Sequence, residues 1–545
     1  MRWGSADTFI SDDPWGLRMG RPIANESFIQ AMLQFGSYDF YDFYCTDENA
    51  ARSFRAWLEE NCPEQQKRDR IRTLLHAQVA DNLRDLEYGC FHFGDFTSLM
   101  PHMAEARNRI ARKPFPITGV THSLDGMLMS TRYQQLVLSG LTEFDAVICT
   151  SNCAEQSVSK GLAWARDSLG LGEDTSPVAL KRIPLAIDQS LFHGPTKQEA
   201  RARFELPQNL TIALSIGRFS LRQKTDWAPI LHRVRSMRED GGLENVVIVI
   251  AGSGDENDIR ILEQIIDKYD LTNSVICIPN FSPEIKPYLY AAADFYFSLV
   301  DNFQETFGLS ILEGMAAGLP IICSEFNGYR ELVEDNHTGF LVPTTWASDI
   351  PDMLMVTEGL VQPGPMRLYL SQMLAIDMDY FENSFRTLCT DTNLRNQMSL
   401  SARKYSEQFT WASIIVQYEK VWGELRQQME KANWKAHSGS IRLKQEISHA
   451  YAHYVTHRLT PDTCLGITEL GRTVLQEPNL LIRYEDIAAL LSTKIEQKIL
   501  WELISGNKTL GRLRETCRTA LNVSAGSVDF HALWLLKHSA IRRAP

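Results

Sequence analysis

The stretch Ala293–Pro320, ADFYFSLVDNFQETFGLSILEGMAAGLP, decides how the rest of the chain is read. Its apolar run Phe295–Val300 is short and rich in aromatic residues, which predicts a buried strand ending in the polar loop Asp301–Glu305. From Phe307 the pattern turns helical. Leu309, Leu312 and Ala316 make one apolar face, Gly318 stands where a left-handed C-terminal cap belongs, and Pro320 forbids continuation. Glu305 and Glu313, with seven residues between them, therefore bracket a strand-to-helix turn.

The first helical turn, Phe307-Gly308-Leu309, offers backbone N–H groups at the carboxyl edge of a sheet, a place suited to phosphate or sugar hydroxyls. Glycine at 308 lets a ligand approach the backbone closely. Carboxylates on either side of that turn accept hydrogen bonds from a polyol, and a nucleotide sugar has this arrangement of groups. The bland alternative is a pair of solvated surface charges.

The 545 residues leave room for about three domains, and 44% hydrophobic with 22% charged residues is an ordinary globular composition. A formal net charge of −12 argues against nucleic acid as a partner, because its phosphates reward basic proteins. Two basic clusters, Arg107/Arg109/Arg112/Lys113 and Lys67/Arg68/Arg70/Arg72, are the candidates for peripheral contact with a membrane, against the reading as solvated helix faces. The ten cysteines show no CxxC spacing and several sit in apolar strands, as buried thiols in a reducing compartment do. The N-terminus lacks an apolar core of signal-peptide length, so the expected location is the cytoplasm or the inner face of its membrane.

Short apolar strands alternate with helices over residues 1–193, which predicts a parallel sheet covered on both faces. Thr8–Ser11 reads as the first strand, followed by a loop containing Gly16 and Gly20 and a helix near Asn25–Gln34 with Asn25 as its N-cap. Pro116–Thr121 reads as a strand ending at His122, whereas His76, His92 and His102 have no context beyond a structural one. His193-Gly194-Pro195 is the expected hinge to a second domain over 205–410. Asp377-Met378-Asp379, the one Asp-x-Asp, reads as structural or surface rather than metal-binding.

With ICSEFNGYRELVEDNHTGFLV (322–342), SIGRFSLRQK (215–224), IAGSGDE (250–256) and IPLAIDQSLF (183–192), the opening stretch resembles the GT-B retaining glycosyltransferases of family 4, glycosyltransferase group 1, over roughly residues 1–430. The resemblance implies an α/β fold in which two Rossmann-like, doubly wound domains face each other across a cleft. An acceptor-side domain would occupy 1–193, a nucleotide-sugar donor domain 205–410, and a helix at 411–432 would cross back onto the first.

It implies that Glu313 binds the nucleotide ribose and that Glu305 and His122 lie against the donor sugar. The Phe307, Gly308 and Leu309 amides would bind sugar or phosphate, Arg218 and Lys224 would clamp the diphosphate, and Gly16 and Gly20 would stand for a glycine pair facing the donor. Fixed cations can offset the charge on a leaving diphosphate, so no metal and no cofactor beyond the nucleoside diphosphate sugar is expected. The acceptor expected is a surface glycan or glycolipid, with a peptide or protein as the alternative. A departure from the family is the Asn327-Gly328 turn in place of Gly-Gly, which asparagine tolerates because it accepts left-handed angles.

Residues 435–545 lie beyond the resemblance and read as a mainly α, winged-helix-like extension with Leu503, Ile504, Leu510, Leu513, Leu533, Leu535 and Leu536 as its core. It is vaguely similar to peptide-binding domains of ribosomal-peptide biosynthesis, and its expected use is structural, oligomerising or partner-docking. The rival readings are another GT-B activity, such as an epimerase or a phosphorylase, and a GT-B subunit without catalysis that binds a partner.

Overall fold

The structure, a computed structural model, describes residues 1–10, 20–125, 128–175, 177–192, 194–348, 363–432, 450–488 and 490–544. Chain contacts divide it into two compact units, one of 1–41, 61–71 and 87–441, the other of 42–60, 72–86 and 442–545. The first unit holds the whole sheet of residues 211–342 and most strands of the N-terminal sheet, while two segments of the N-terminal half group with residues 442–545.

The strands in chain order are β1 Arg2–Ser5, β2 Phe40–Cys45, β3 Ile71–Leu75, β4 Tyr88–Phe93, β5 Ile117–Val120, β6 Ala146–Cys149 and β7 Ala179–Arg182. In the first unit, β1-β4-β5-β6-β7 lie side by side, all parallel. β2 and β3 straddle the boundary between the units. The first strand is Arg2–Ser5, whereas Thr8, Phe9 and Ile10 of the expected strand form none and Ser11 lies outside the described residues. Trp3 decides this, since its ring is fully buried whereas the β-branched run downstream holds only one buried apolar side chain, Phe9.

The second sheet is built from β8 Thr211–Arg218, β9 Val246–Ser253, β10 Val275–Pro279, β11 Phe295–Ser298, β12 Ile321–Ser324 and β13 Gly339–Val342. Its order is β10-β9-β8-β11-β12-β13, parallel throughout. Near-continuous apolar runs such as Val246–Ala251 suit strands covered on both faces. The order reverses between β8 and β11, and a doubly wound sheet opens its crevice at that point, at the carboxyl ends of the strands.

The helix Trp411–Lys431, capped by Thr410, packs against the helix Gly20–Phe35 and β4. Trp422, fully buried, donates from Nε1 to Thr118 Oγ1 at 2.9 Å. His92 sits in this aromatic layer, 5.0 Å from Phe28 and 5.5 Å from Trp422 between ring centroids, and burial pushes its imidazole down to about 3. It is a structural histidine, as its sequence context indicates.

Two expectations are corrected here. Asn25 lies inside the helix Gly20–Phe35 and caps nothing. Arg107 is fully buried in a bidentate pair with Asp145, at 2.5 and 2.9 Å, and so belongs to no basic surface patch. All ten cysteines are thiols, and Cys45, Cys62, Cys90, Cys149, Cys323 and Cys517 are buried. Among the described residues no helix is long and apolar enough to cross a membrane.

The second unit contains an antiparallel sheet of Lys508–Thr509, Cys464–Ile467 and Ile541–Arg543, with the helices Glu469–Gln476, Thr493–Ile504, Leu510–Leu521 and Ala525–Lys537. Leu503, Leu510, Leu513 and Leu535 are in its core with Leu465, Ile499 and Val528, and Leu536 packs on its margin. Ile504 and Leu533 are not core residues, because their helical positions turn them outward to 44% and 52% exposure. Within this unit Arg52 pairs with Glu485, and the Glu48 N–H donates to Asp486 at 2.9 Å.

Candidate functional site

Arg218, Lys224 and Glu305, all expected from the sequence, meet at the β8–β11 switch point. Arg218 ends β8, and Lys224 follows after a short loop that places both beside the loop leaving β11. The Lys224 ammonium donates to Glu305 Oε2 and to the Tyr329 hydroxyl, each at 2.8 Å. Glu305 Oε1 also accepts from the N–H groups of Thr306 and Phe307 at 3.2 and 3.3 Å. Burial opposes both charges. The pairing outweighs it, so the Glu305 carboxyl stays below and the Lys224 ammonium above its ordinary value. Arg218 donates to Gln223 and, at 3.3 Å, to Gln304 Oε1 in the Glu305 loop.

The turn after Glu305 is fixed by sterics. Gly308 adopts φ 114° and ψ 59° ahead of the helix Leu309–Ala316, and a Cβ there would lie 2.6 Å from the Tyr329 ring. Gly328 passes equally close, since its Cβ would meet the Thr306 carbonyl oxygen at 2.3 Å. Asn327 takes the left-handed φ of 48° that the sequence anticipates, and its Oδ1 accepts from the Tyr329 N–H at 3.2 Å. The two loops therefore interlock, and side chains at 308 or 328 would separate them.

Glu313 is largely buried, on the same helix one turn beyond. It pairs with Lys286, and its Oε2 accepts from the Tyr290 hydroxyl at 2.9 Å. Neither partner is expected from the sequence pattern, yet Lys286 and Tyr290 stand four apart on the helix Lys286–Ala292, the spacing that puts two side chains on one face. Tyr329, which locks Lys224, was likewise not anticipated; its buried hydroxyl also lies 3.1 Å from Ser298 Oγ.

From the N-terminal sheet His122 projects just past β5. Asn25 donates from Nδ2 to the Gly94 carbonyl at 3.3 Å, so its Oδ1 is the acceptor for His122 Nε2–H at 2.9 Å. Ala24, Phe28, Leu185 and Trp411 line a small apolar cavity against this pair. Gly16 lies outside the described residues, and Gly20 is the first residue of the helix Gly20–Phe35.

The two sheet domains touch beside the site. Ser151 Oγ donates to the Thr306 carbonyl at 2.7 Å, and the N–H groups of Asn152 and Cys153 donate to Glu331 at 2.6 and 2.8 Å. A carboxylate of one domain thus sits on the N-terminus of the other's helix Asn152–Ser168, where the helix dipole favours it. Asp125 accepts a bidentate pair from Arg367 at 2.7 and 3.1 Å. Asp377 caps the helix Met378–Thr390 and is structural.

Residues 196–354 match the family model of glycosyl transferases group 1. The chain is 25% identical over 195 residues to the D-inositol 3-phosphate glycosyltransferase of Salinispora tropica, covering 33% of this chain and 40% of that protein. It is 23% identical over 265 residues to the protein of the same name from Salinispora arenicola, covering 46% and 51%. The chain thus spans about half the length of the curated relatives it matches. Among solved structures it is similar to Anabaena HepE in complex with UDP, at 17% identity and a TM-score of 0.54, over 78% of this chain and 99% of that one. It is also similar to sucrose-phosphate synthase from Thermosynechococcus elongatus, at 19% identity and a TM-score of 0.51, over 79% and 99%. At these identities the likeness shows the fold, which is GT-B. Residues 196–354 thus match glycosyl transferases group 1, within a chain whose fold is similar to GT-B structures.

Proposed function

We propose that this chain is a retaining glycosyltransferase that moves a sugar from a nucleoside diphosphate sugar to an acceptor hydroxyl without a metal ion. The observation that carries the reading is the convergence of Arg218, Lys224 and Glu305 on the Gly308 turn, with Glu313 one turn further along the helix. UDP in the solved HepE complex makes a UDP-sugar the first donor to try.

In this reading the diphosphate lies toward Arg218 and Lys224, whose charges offset the charge that builds as the anomeric C–O bond breaks. The bonding electrons leave with the diphosphate. The acceptor oxygen bonds to the anomeric carbon on the same face, and its proton passes to the departing phosphate oxygen, so the mechanism needs no strong protein base. Glu305 and His122 position the sugar, and Glu313 takes the ribose hydroxyls in place of its present partners. The acceptor we favour is a surface polysaccharide or glycoconjugate, met in the cytoplasm.

The test is a calorimetric and thermal-shift screen of UDP-, GDP-, ADP- and TDP-sugars with chelator, followed by the anomeric configuration of the product by NMR. Chelator-resistant binding and a product of the donor's configuration support the reading. An inverted product, or turnover abolished by chelator, would refute it.

A further inference from the structure

Between β13 and the helix Met378–Thr390 the chain leaves the donor sheet. An antiparallel pair, Thr344–Trp346 with Leu374–Ile376, closes the base of this excursion. Its described residues touch three loops of the candidate site. Trp346 packs on Phe303, 4.5 Å between centroids, in the loop that carries Glu305. Gln372 Nε2 donates to Asp226 Oδ2 at 2.9 Å, two residues past Lys224. Arg367 reaches the other domain and grips Asp125, three residues past His122, through Nε at 2.7 Å and Nη2 at 3.1 Å.

The Arg367 and Asp125 side chains are only 16% and 9% exposed, so this is no floppy surface pair. A bidentate guanidinium–carboxylate contact fixes orientation as well as distance. The charges of Arg367 and Asp125 both act on the Arg218 guanidinium, the first against its charged form and the second for it.

We infer that Arg367 is a positioning residue of the proposed reaction: by holding Asp125 it ties the His122–Asp125 loop of one domain to the segment that packs on the Phe303 and Asp226 loops of the other. This rests on the functional reading above for its catalytic consequence, but not for its structural one. The nucleotide-binding groups Arg218, Lys224 and Glu313 keep their own partners without it. Its loss therefore affects the chemical step more than nucleotide affinity.

The experiment compares the wild-type chain with Arg367→Ala, Arg367→Lys and Asp125→Asn. It measures UDP affinity by calorimetry, UDP release from UDP-glucose, melting temperature, and hydrogen exchange at the 121–125 amides. Arg367→Ala is expected to bind UDP within about threefold of wild type, to lose roughly tenfold or more in kcat with little change in KM, and to exchange the 121–125 amides about tenfold faster. Arg367→Lys recovers part of each loss, because it keeps the charge and gives up the fork. Wild-type kcat in a folded Arg367→Ala variant, or unchanged exchange at 121–125, overturns the inference. If wild type neither binds UDP nor releases it, the fault lies with the proposed function, and the exchange comparison still decides the role of Arg367.

Discussion

Lys224 and Glu305 form a largely buried ion pair, 2.8 Å from Nζ to Oε2, across a separation of 81 residues in sequence. The pair holds the end of the β8 loop against the turn that opens the helix Leu309–Ala316, so the same contact has a structural and a chemical consequence.

Breaking the pair from one side leaves a buried charge without its partner. Lys224→Met or Glu305→Gln should each cost on the order of 2–4 kcal/mol of stability and lower turnover roughly tenfold to a hundredfold. The double variant Lys224→Met/Glu305→Gln should regain much of the stability and none of the turnover, since both charges are gone together. Denaturant unfolding and donor turnover on the three variants check this. Additive stability losses would contradict it. Glu305 has a depressed folded value, so its contribution is present above the ordinary carboxylate range and is lost as pH falls through the depressed value.

Tyr329→Phe removes a hydroxyl that holds both Lys224 and Ser298 and leaves the ring that packs on Gly308. The expected cost is about 1 kcal/mol of stability and roughly a threefold to thirtyfold loss of turnover, because Lys224 keeps its charge but loses its aim. Turnover at the wild-type level would remove Tyr329 from the site.

Much of the Glu305–Gly318 turn and helix was legible in the sequence because its signals are local. Glu305, Gly308 and Glu313 fall within nine consecutive residues, and Gly318 takes the left-handed φ of 77° that its place after the helix calls for. Partners supplied from far along the chain were not legible. Tyr329 meets Lys224 across 105 residues, and Arg367 meets Asp125 across 242, and no periodicity encodes either. The N-terminal errors have a different cause. Local propensity favours Thr8–Ser11 as a strand and Asn25 as a cap, whereas the burial of Trp3 and the bond from His122 Nε2–H to Asn25 Oδ1 come from outside those segments.

Gly308→Ala should destabilise by about 1–3 kcal/mol, since φ is 114° and the new methyl would meet the Tyr329 ring at 2.6 Å. The shift should appear in the denaturant midpoint with an unchanged slope. A variant as stable as wild type would mean the two loops are not interlocked as described.

Asp301 is buried beside Asp226, whose N–H donates to its Oδ2 at 3.2 Å, and burial pushes its carboxyl up to about 7. Its folded form holds a proton that the unfolded chain has lost. The stability it contributes is therefore full below about pH 4 and declines as pH rises through about 7. Asp301→Asn should flatten that decline and raise the melting temperature above pH 7, by a few degrees at pH 8. Parallel wild-type and variant curves from pH 4 to 8 would contradict the assignment.

The central claim is that the C-terminal sheet domain binds a nucleoside diphosphate through Arg218, Lys224 and Glu313. Calorimetry of UDP, GDP, ADP and TDP in the presence of chelator, on wild type and Glu313→Gln, tests it most directly. The account predicts selective, chelator-resistant binding of one nucleotide to wild type, weakened about tenfold to a hundredfold in Glu313→Gln, the loss of one charge-assisted hydrogen-bond acceptor. Folded wild-type protein that binds none of the four, or a Glu313→Gln variant that binds as tightly as wild type, would contradict it.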